Sequence, residues 1–278
     1  MAIWFLDNVK PLKRRVLSVP KPTCLYSDEE GNSHRPWAYE LRSVREGVDY
    51  AVDGTWSIPA FQRNFNWNPL GVRDLAESLW RDYPIGPLLI WEPETAANAK
   101  QLSSLIIDGQ HRLTALCILF GYTPRWWSGE KKERWNDLAS RYEVWFDMRA
   151  EREHFFWAAT ESNFDRENPR FVELSKLLTL DLHEQSGRHE LARFASQIDV
   201  EGVGRLDAEQ QYARLLKVCA MKDQPMVATI LHHPHLDDVL EIFARLNCQG
   251  IRFRRLLLST AVHATARLWN WRSDQENF

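Results

Sequence analysis

Apolar positions along this chain follow two periods by turns: about 3.6 in some stretches, and 2 or an unbroken run in others. SIPAFQRNFNWNP (57–69) predicts a short strand or extended loop running into a helix, with Asn68 as N-cap and Pro69 at the first helical position. Leu70, Leu75 and Leu79 then supply an apolar face, and Tyr83-Pro84 ends the helix. GPLLIWEP (86–93) predicts a strand bounded by Gly and Pro, and LSSLIID (102–108) a second one after the polar loop ETAANAK. Residues 109–120 predict a leucine-rich helix closed by Gly121. RYEVWFDMR (141–149) alternates as a strand, and 150–200 is expected to be mostly helical, interrupted around Asn168-Pro169. Helices are expected over 207–221 and 236–247, with the strand PMVATIL (225–231) between them and a last helix over about 252–270. Residues 1–40, with prolines at 11, 20, 22 and 36, predict an N-terminal arm; 41–270 form the domain and 271–278 a tail. Strands interleave with helices without strict alternation. That order predicts an α+β domain with a more helical C-terminal half, rather than a doubly wound sheet.

Composition narrows the function classes. At 44% hydrophobic, the 278 residues can build a proper core. A net charge of -3 and a pI near 6.3 leave no global basic field, so a nucleic acid would have to be met by a local patch. Lys13-Arg14-Arg15 is one such cluster, either solvated or a phosphate contact. Four cysteines without CxxC spacing predict a reducing, cytoplasmic setting with no disulfide framework, and Cys117 falls on an apolar helical stripe. The start, MAIWFLDNVKPLKRR, carries its charges after the apolar piece, unlike a secretory signal. No apolar run approaches the roughly 18 residues of a membrane span. Thirteen tryptophans serve either as core filler or as stacking surfaces.

The chemistry concentrates at Asp108-Gly109-Gln110-His111-Arg112, between a buried strand and a buried helix. Strand, glycine turn and helix start make an anion site, because the first helical N–H groups have no intrahelical partner and the dipole favours negative charge there. Arg112 in the first turn opposes that dipole by about 0.3–1 kcal/mol, which an anionic partner would offset. Asp108 can cap the helix or hold a Mg²⁺ that accompanies phosphates. The plainer alternative makes Asp108 an N-cap and Arg112 a surface residue. Gln62 and Arg63 sit between aromatic residues in IPAFQRNFNW, a combination suited to phosphate and base, or to a surface hairpin. IFARLNCQGI (242–251) places Arg245 and Asn247 before Gly250, where a plain helix C-terminus also accounts for them. LHHPHLDD (231–238) clusters histidines and aspartates, but Pro234 bends the chain between His233 and His235; a loop before a helix capped by Asp237 is expected, and no metal site. GxxxxGK[ST], GxSxG and HExxH are absent.

Four motifs in order, IPxFQRxxxW, PIGxxxxW (Pro84-Ile85-Gly86 to Trp91), DGQHRLTAL and IFxRLNxxG, resemble the N-terminal domain of GmrSD-type modification-dependent restriction systems, a domain type also found in the phage-defence protein SspE. The resemblance covers residues 45–260 and implies a ParB/sulfiredoxin-like fold. It implies a nucleoside triphosphate with Mg²⁺ at the turn, hydrolysed in connection with cutting or sensing of modified or foreign DNA. Asp108, Gly109, Gln110 and Arg112 would line the phosphate site, with Thr114 a turn further along; Gln62 and Arg63 would face it from the first motif, and Arg245 and Asn247 from the last. Asp108 would contact Mg²⁺ or orient water, Arg112 would polarise the phosphates, and Gln110 or His111 would position the water. His111 stands where Gln is commoner, and the DGQHR spelling also occurs in DndB-like phosphorothioation regulators. After Gly250 the chain runs Ile251-Arg252-Phe253-Arg254-Arg255, a basic departure from the family pattern. GmrSD-type effectors carry a C-terminal HNH nuclease domain, for which a chain ending at Phe278 has no room, so any cleavage is expected from this domain or a partner chain. Two rivals stand beside the NTPase: a non-enzymatic DNA-binding sensor or adaptor using the same turn, and a metal-dependent nuclease, for which only Asp108 and scattered carboxylates speak. Oligomerisation is left open.

Overall fold

A computed structural model describes residues 26–27, 33–34, 37–59, 62, 64–92, 104–127, 134–149, 154–196, 208–232 and 236–247. The chain divides into two units, Met1–Pro36 and Trp37–Phe278. In the first, β1 (Tyr26–Ser27) pairs antiparallel with β2 (Ser33–His34). The second opens with β3 (Trp37–Ser43), so sheet structure starts inside the last residues of the expected arm.

Ser43 ends β3 and starts α1 (Val44–Asp53), a helix absent from the periodicity reading, through a reciprocal capping box with Glu46. After β4 (Trp56–Ser57) comes α2 (Pro69–Trp80), begun as expected: the Asn68 side chain accepts from the Gly71 N–H at 2.7 Å. Val72, Leu75, Ala76, Leu79 and Trp80 form its buried face, whereas Leu70 is exposed. β5 (Leu88–Glu92) and β6 (Ser104–Asp108) lead to α3 (Gln110–Phe120), closed by Gly121 in the left-handed region. Then follow α4 (Trp135–Arg141), β7 (Val144–Asp147), β8 (Phe156–Ala158), β9 (Phe171–Glu173), α5 (Leu174–Leu178), α6 (Gln185–Ser196), α7 (Ala208–Ala220), β10 (Pro225–His232) and α8 (Leu236–Asn247).

The largely helical expectation for 150–200 is corrected by β8 and β9, three residues each, which flank β7 in an antiparallel sheet of order β8-β7-β9. Strands this short carry too few residues to show a period. Their pairing with β7 and the burial of Phe156, Ala158, Phe171 and Val172 decide them. The expected helix over 252–270 and the tail lie outside the described residues.

The main sheet is mixed, in the order β3-β10-β5-β6-β4. β10 runs antiparallel to β3 and parallel to β5; β6 runs antiparallel to β5 and parallel to β4. Leu88, Ile90, Ile106, Met226, Ala228 and Ile230 belong to the large core that also takes the buried faces of α1, α2 and α3. Leu89, Trp91, Ile107 and Leu231 form a smaller core with Val239 of α8. Burial on both faces explains why β5 and β6 read as unbroken apolar runs. α3 is enclosed on nearly all sides, Leu113 through Phe120 being buried. Cys117 lies in this helix and Cys219 in α7; burial raises both thiols, Cys219 to about 11, so they stay protonated and act as packing. The architecture is α+β, as the interleaved order predicts.

Candidate functional site

At the end of β6 the chain turns through Gly109, with φ 92°, straight into α3. That left-handed conformation suits glycine, and glycine has no side chain with which to cap the helix; α3 has no side-chain cap bond. Its first turn also carries a cation, Arg112, rather than an acidic residue. Glycine is an accepted N-cap, but the cation runs against the usual charge preference of a helix start.

The Arg112 side chain is 19% exposed and acts as a clasp. Its Nη1 donates to the Ile85 carbonyl at 3.0 Å, and its Nη2 lies 3.4 Å from Asp108 Oδ2. Gly86, at φ 82°, makes room for it, since a Cβ there would lie 2.5 Å from Nη1. A Cβ on Gly109 would lie 3.2 Å from Nη2 and collide with Leu88. Two left-handed glycines from separate motifs thus flank one guanidinium. Burial lowers the Arg112 pKa from its ordinary value, and the Asp108 carboxylate opposes that shift. The two contacts named use two of its five donors.

Gln62 buttresses the same turn, its Nε2 donating to the Ile107 carbonyl at 2.8 Å. A cavity of about 180 Å³ lies between this loop, the start of α3 and Trp126-Trp127, and Gln62, Gln110, His111 and Thr114 all line it. Gln110 and Thr114 are buried polar residues, and the His111 ring is 5.8 Å from that of Phe65. Asp108 instead lines a larger groove of about 550 Å³, together with Gly86, Leu89, Thr229 and Tyr39. The predicted residues therefore converge on one turn but divide between two recesses.

A family model described as the N-terminal domain of the GmrSD restriction endonuclease matches residues 44–256. The chain belongs to this family. Over 97 residues it is 31% identical to the uncharacterized protein MJ0686 of Methanocaldococcus jannaschii, an alignment covering 28% of this chain and 17% of that protein. The chain thus spans about a sixth of the length of the curated relative it matches.

Not every residue singled out in this GmrSD N-terminal domain reaches the turn. Arg245 is exposed, bonds to Glu241 one turn back at 2.5 Å, and lines neither recess, whereas its neighbour Leu246 reaches the larger groove. Arg63 and the Asn247 side chain lie outside the described residues, as do His233, Pro234 and His235. His232 Nδ1 lies 3.5 Å from Glu92 Oε2. Among the described residues no group of three or more His, Cys, Asp or Glu is placed to hold a metal, and no helix is long and apolar enough to cross a membrane. Residue types alone assign no role to Ile85 and Gly86, which receive Arg112, or to Trp127, which walls the cavity opposite the aromatic stretch that holds Phe65. The signal for Gly86 was present, as a glycine between Ile85 and Pro87 just before a strand.

Proposed function

We propose that this GmrSD-family domain binds a nucleoside triphosphate with Mg²⁺ at the start of α3, and hydrolyses it in the service of modification-dependent restriction or antiphage defence. Family membership ties the chain to restriction systems. The observation that carries the nucleotide reading is the helix start itself: no side-chain cap, a left-handed glycine, and the Arg112 cation held beside it. Phosphate oxygens at this place would take up the helix amides and the remaining guanidinium donors, which also offsets the unfavourable charge in the first turn.

Asp108 fits the Mg²⁺ role. Its side chain is 47% exposed at the turn, and Mg²⁺ is ordinarily held by one or two carboxylates together with substrate phosphates. Bound Mg²⁺ would supply charge neutralisation on the phosphates. Arg112 stabilises charge that develops on the phosphoryl oxygens, and Gln110 or His111, which line the neighbouring cavity, orients the attacking water. DNA is met directly or through a partner nuclease.

The test is calorimetric titration of ATP, GTP and CTP with Mg²⁺ into wild type, Arg112→Ala and Arg112→Lys. The alanine variant is expected to lose roughly 10–100-fold in affinity, the worth of one charge-assisted bond of about 1.5–3 kcal/mol. The lysine variant should recover part of it. Undiminished affinity in a folded Arg112→Ala sinks the proposal. If no nucleotide binds the wild type, the turn is to be tested on duplex DNA at two salt concentrations, where phosphate contacts give a steep dependence.

A further inference from the structure

We infer that the cavity of about 180 Å³ beside the start of α3 seats a nucleobase. For the base of a bound nucleotide this rests on the proposed phosphate site, because Gln110 and His111 belong to both the first turn of α3 and the cavity lining. Size selects the ligand class. Pockets that enclose drug-sized molecules run from about 300 to 1,000 Å³, while a cavity of about 150 Å³ admits one benzene ring. The space here takes a flat heterocycle but not a whole nucleotide, so sugar and phosphates would lie outside it.

The lining has the two components that base recognition needs. Phe65 and Trp127 are partly exposed aromatic walls, and each is held by a second ring. Phe65 meets Tyr142 edge-on at 5.3 Å, with the Tyr142 hydroxyl donating to the Trp67 carbonyl at 2.7 Å; Trp127 meets Trp135 edge-on, also at 5.3 Å. Such walls are ordered before a base arrives, which lowers the entropy cost of stacking. Gln62 and Thr114 add amide and hydroxyl groups, the donors and acceptors that match a base edge. Cavities that stay empty are apolar, whereas polar ones hold water or a ligand. This one faces two buried polar side chains on a single helix, Gln110 and Thr114.

The base can arrive on a free nucleotide or as an extrahelical base of DNA, and the chemistry of the seat is the same. The experiment follows tryptophan fluorescence of the full chain during titration with inorganic triphosphate, nucleoside triphosphates with Mg²⁺, the corresponding nucleosides, and a short single-stranded oligonucleotide. Wild type is compared with Phe65→Leu and Thr114→Val, each checked for folding by near-ultraviolet circular dichroism. The expected result is that a base makes triphosphate bind at least tenfold tighter, and that Phe65→Leu abolishes this gain while inorganic triphosphate binds as before. Thr114→Val, nearly the same shape, is expected to change the ranking among bases. Triphosphate binding with no gain from any base overturns the base seat and leaves the phosphate site standing. Nucleoside or oligonucleotide binding that needs Phe65, without any triphosphate binding, supports the seat with DNA as its source and overturns the nucleotide reading. A folded Phe65→Leu with an unchanged gain from the base overturns the seat.

Discussion

Three helices of the main domain begin in different ways, and the contrast separates structure from function. α1 starts at a reciprocal capping box and α2 at Asn68 with Pro69 behind it, so their starts are closed by their own side chains. α3, the most deeply buried of the three, starts at a glycine with no side-chain cap and a cation one turn in. A helix selected for stability alone would resemble the first two, because a good cap contributes about 1 kcal/mol. The third, with glycine at its cap, gives up only a few tenths of that, and it does so where four motif residues, Asp108, Gln110, His111 and Arg112, come together. What sets α3 apart is the combination of a left-handed glycine with a cation in the first turn, and this combination is what the proposed ligand site at its start rests on.

The contrast can be broken or sharpened experimentally. The largest effect is expected from Gly109→Ala, which puts a Cβ in the left-handed region and against Leu88. It should cost about 2–4 kcal/mol and lower the melting temperature by roughly 5–15 °C in thermal unfolding. A neutral result would remove the claim that this turn tolerates only glycine. Next, a saturating nucleoside triphosphate with Mg²⁺ should raise the stability of wild type and of Asn68→Ala alike, by about 2.7 kcal/mol at a hundredfold excess over Kd, and that of Arg112→Ala by only about 0.4–1.4 kcal/mol at the same concentration. Equal stabilisation of all three would mean that the ligand sits elsewhere. Asn68→Ala alone should cost about 1 kcal/mol, read as a fall of roughly 2–4 °C. A negligible loss would weaken the view that the other helix starts are sealed by their caps.

The smallest effect is a pH dependence at α1. The Ser43 N–H bond to the Glu46 carboxylate lowers the Glu46 pKa, outweighing the opposing effect of desolvation. A carboxyl depressed in the folded state contributes stability above its unfolded pKa of about 4.3 and loses it as pH falls through the folded value. Wild type should therefore exceed Glu46→Gln slightly in melting temperature at pH 7, and the gap should close on acidification. A gap that widens in acid would contradict the capping box.

Much of this was legible from residue order, and the exceptions are instructive. Asn68-Pro69, Gly121 and the strand-glycine-helix passage at 105–121 announce themselves because caps and turns act within four or five residues. α1 escaped notice although Ser43 and Glu46 stand at capping-box spacing before Val44, Val48 and Ala51. Its buried face, Val44, Gly47, Val48 and Ala51, keeps helical spacing but is made of small residues, two of them Gly and Ala, so the box was the better signal. β8 and β9 were missed for the opposite reason: three residues have no period, and only β7 makes them strands. At the site, the motif residues were visible, but the division between the cavity and the larger groove was not.

By itself, the sequence determined the α+β composition, the caps that begin α2 and end α3, and the polar turn between two buried elements. These depend on local sterics, on backbone groups near the ends of helices, and on which side chains avoid water. Only the tertiary structure decided that β10, from the far end of the chain, enters the sheet between β3 and β5. Only it decided that Arg112 reaches across 27 residues to the Ile85 carbonyl, in a space left by the missing side chain of Gly86. Such contacts have no period and no fixed spacing. They form because the sheet brings strand ends together, and a desolvated guanidinium takes the acceptors it finds there.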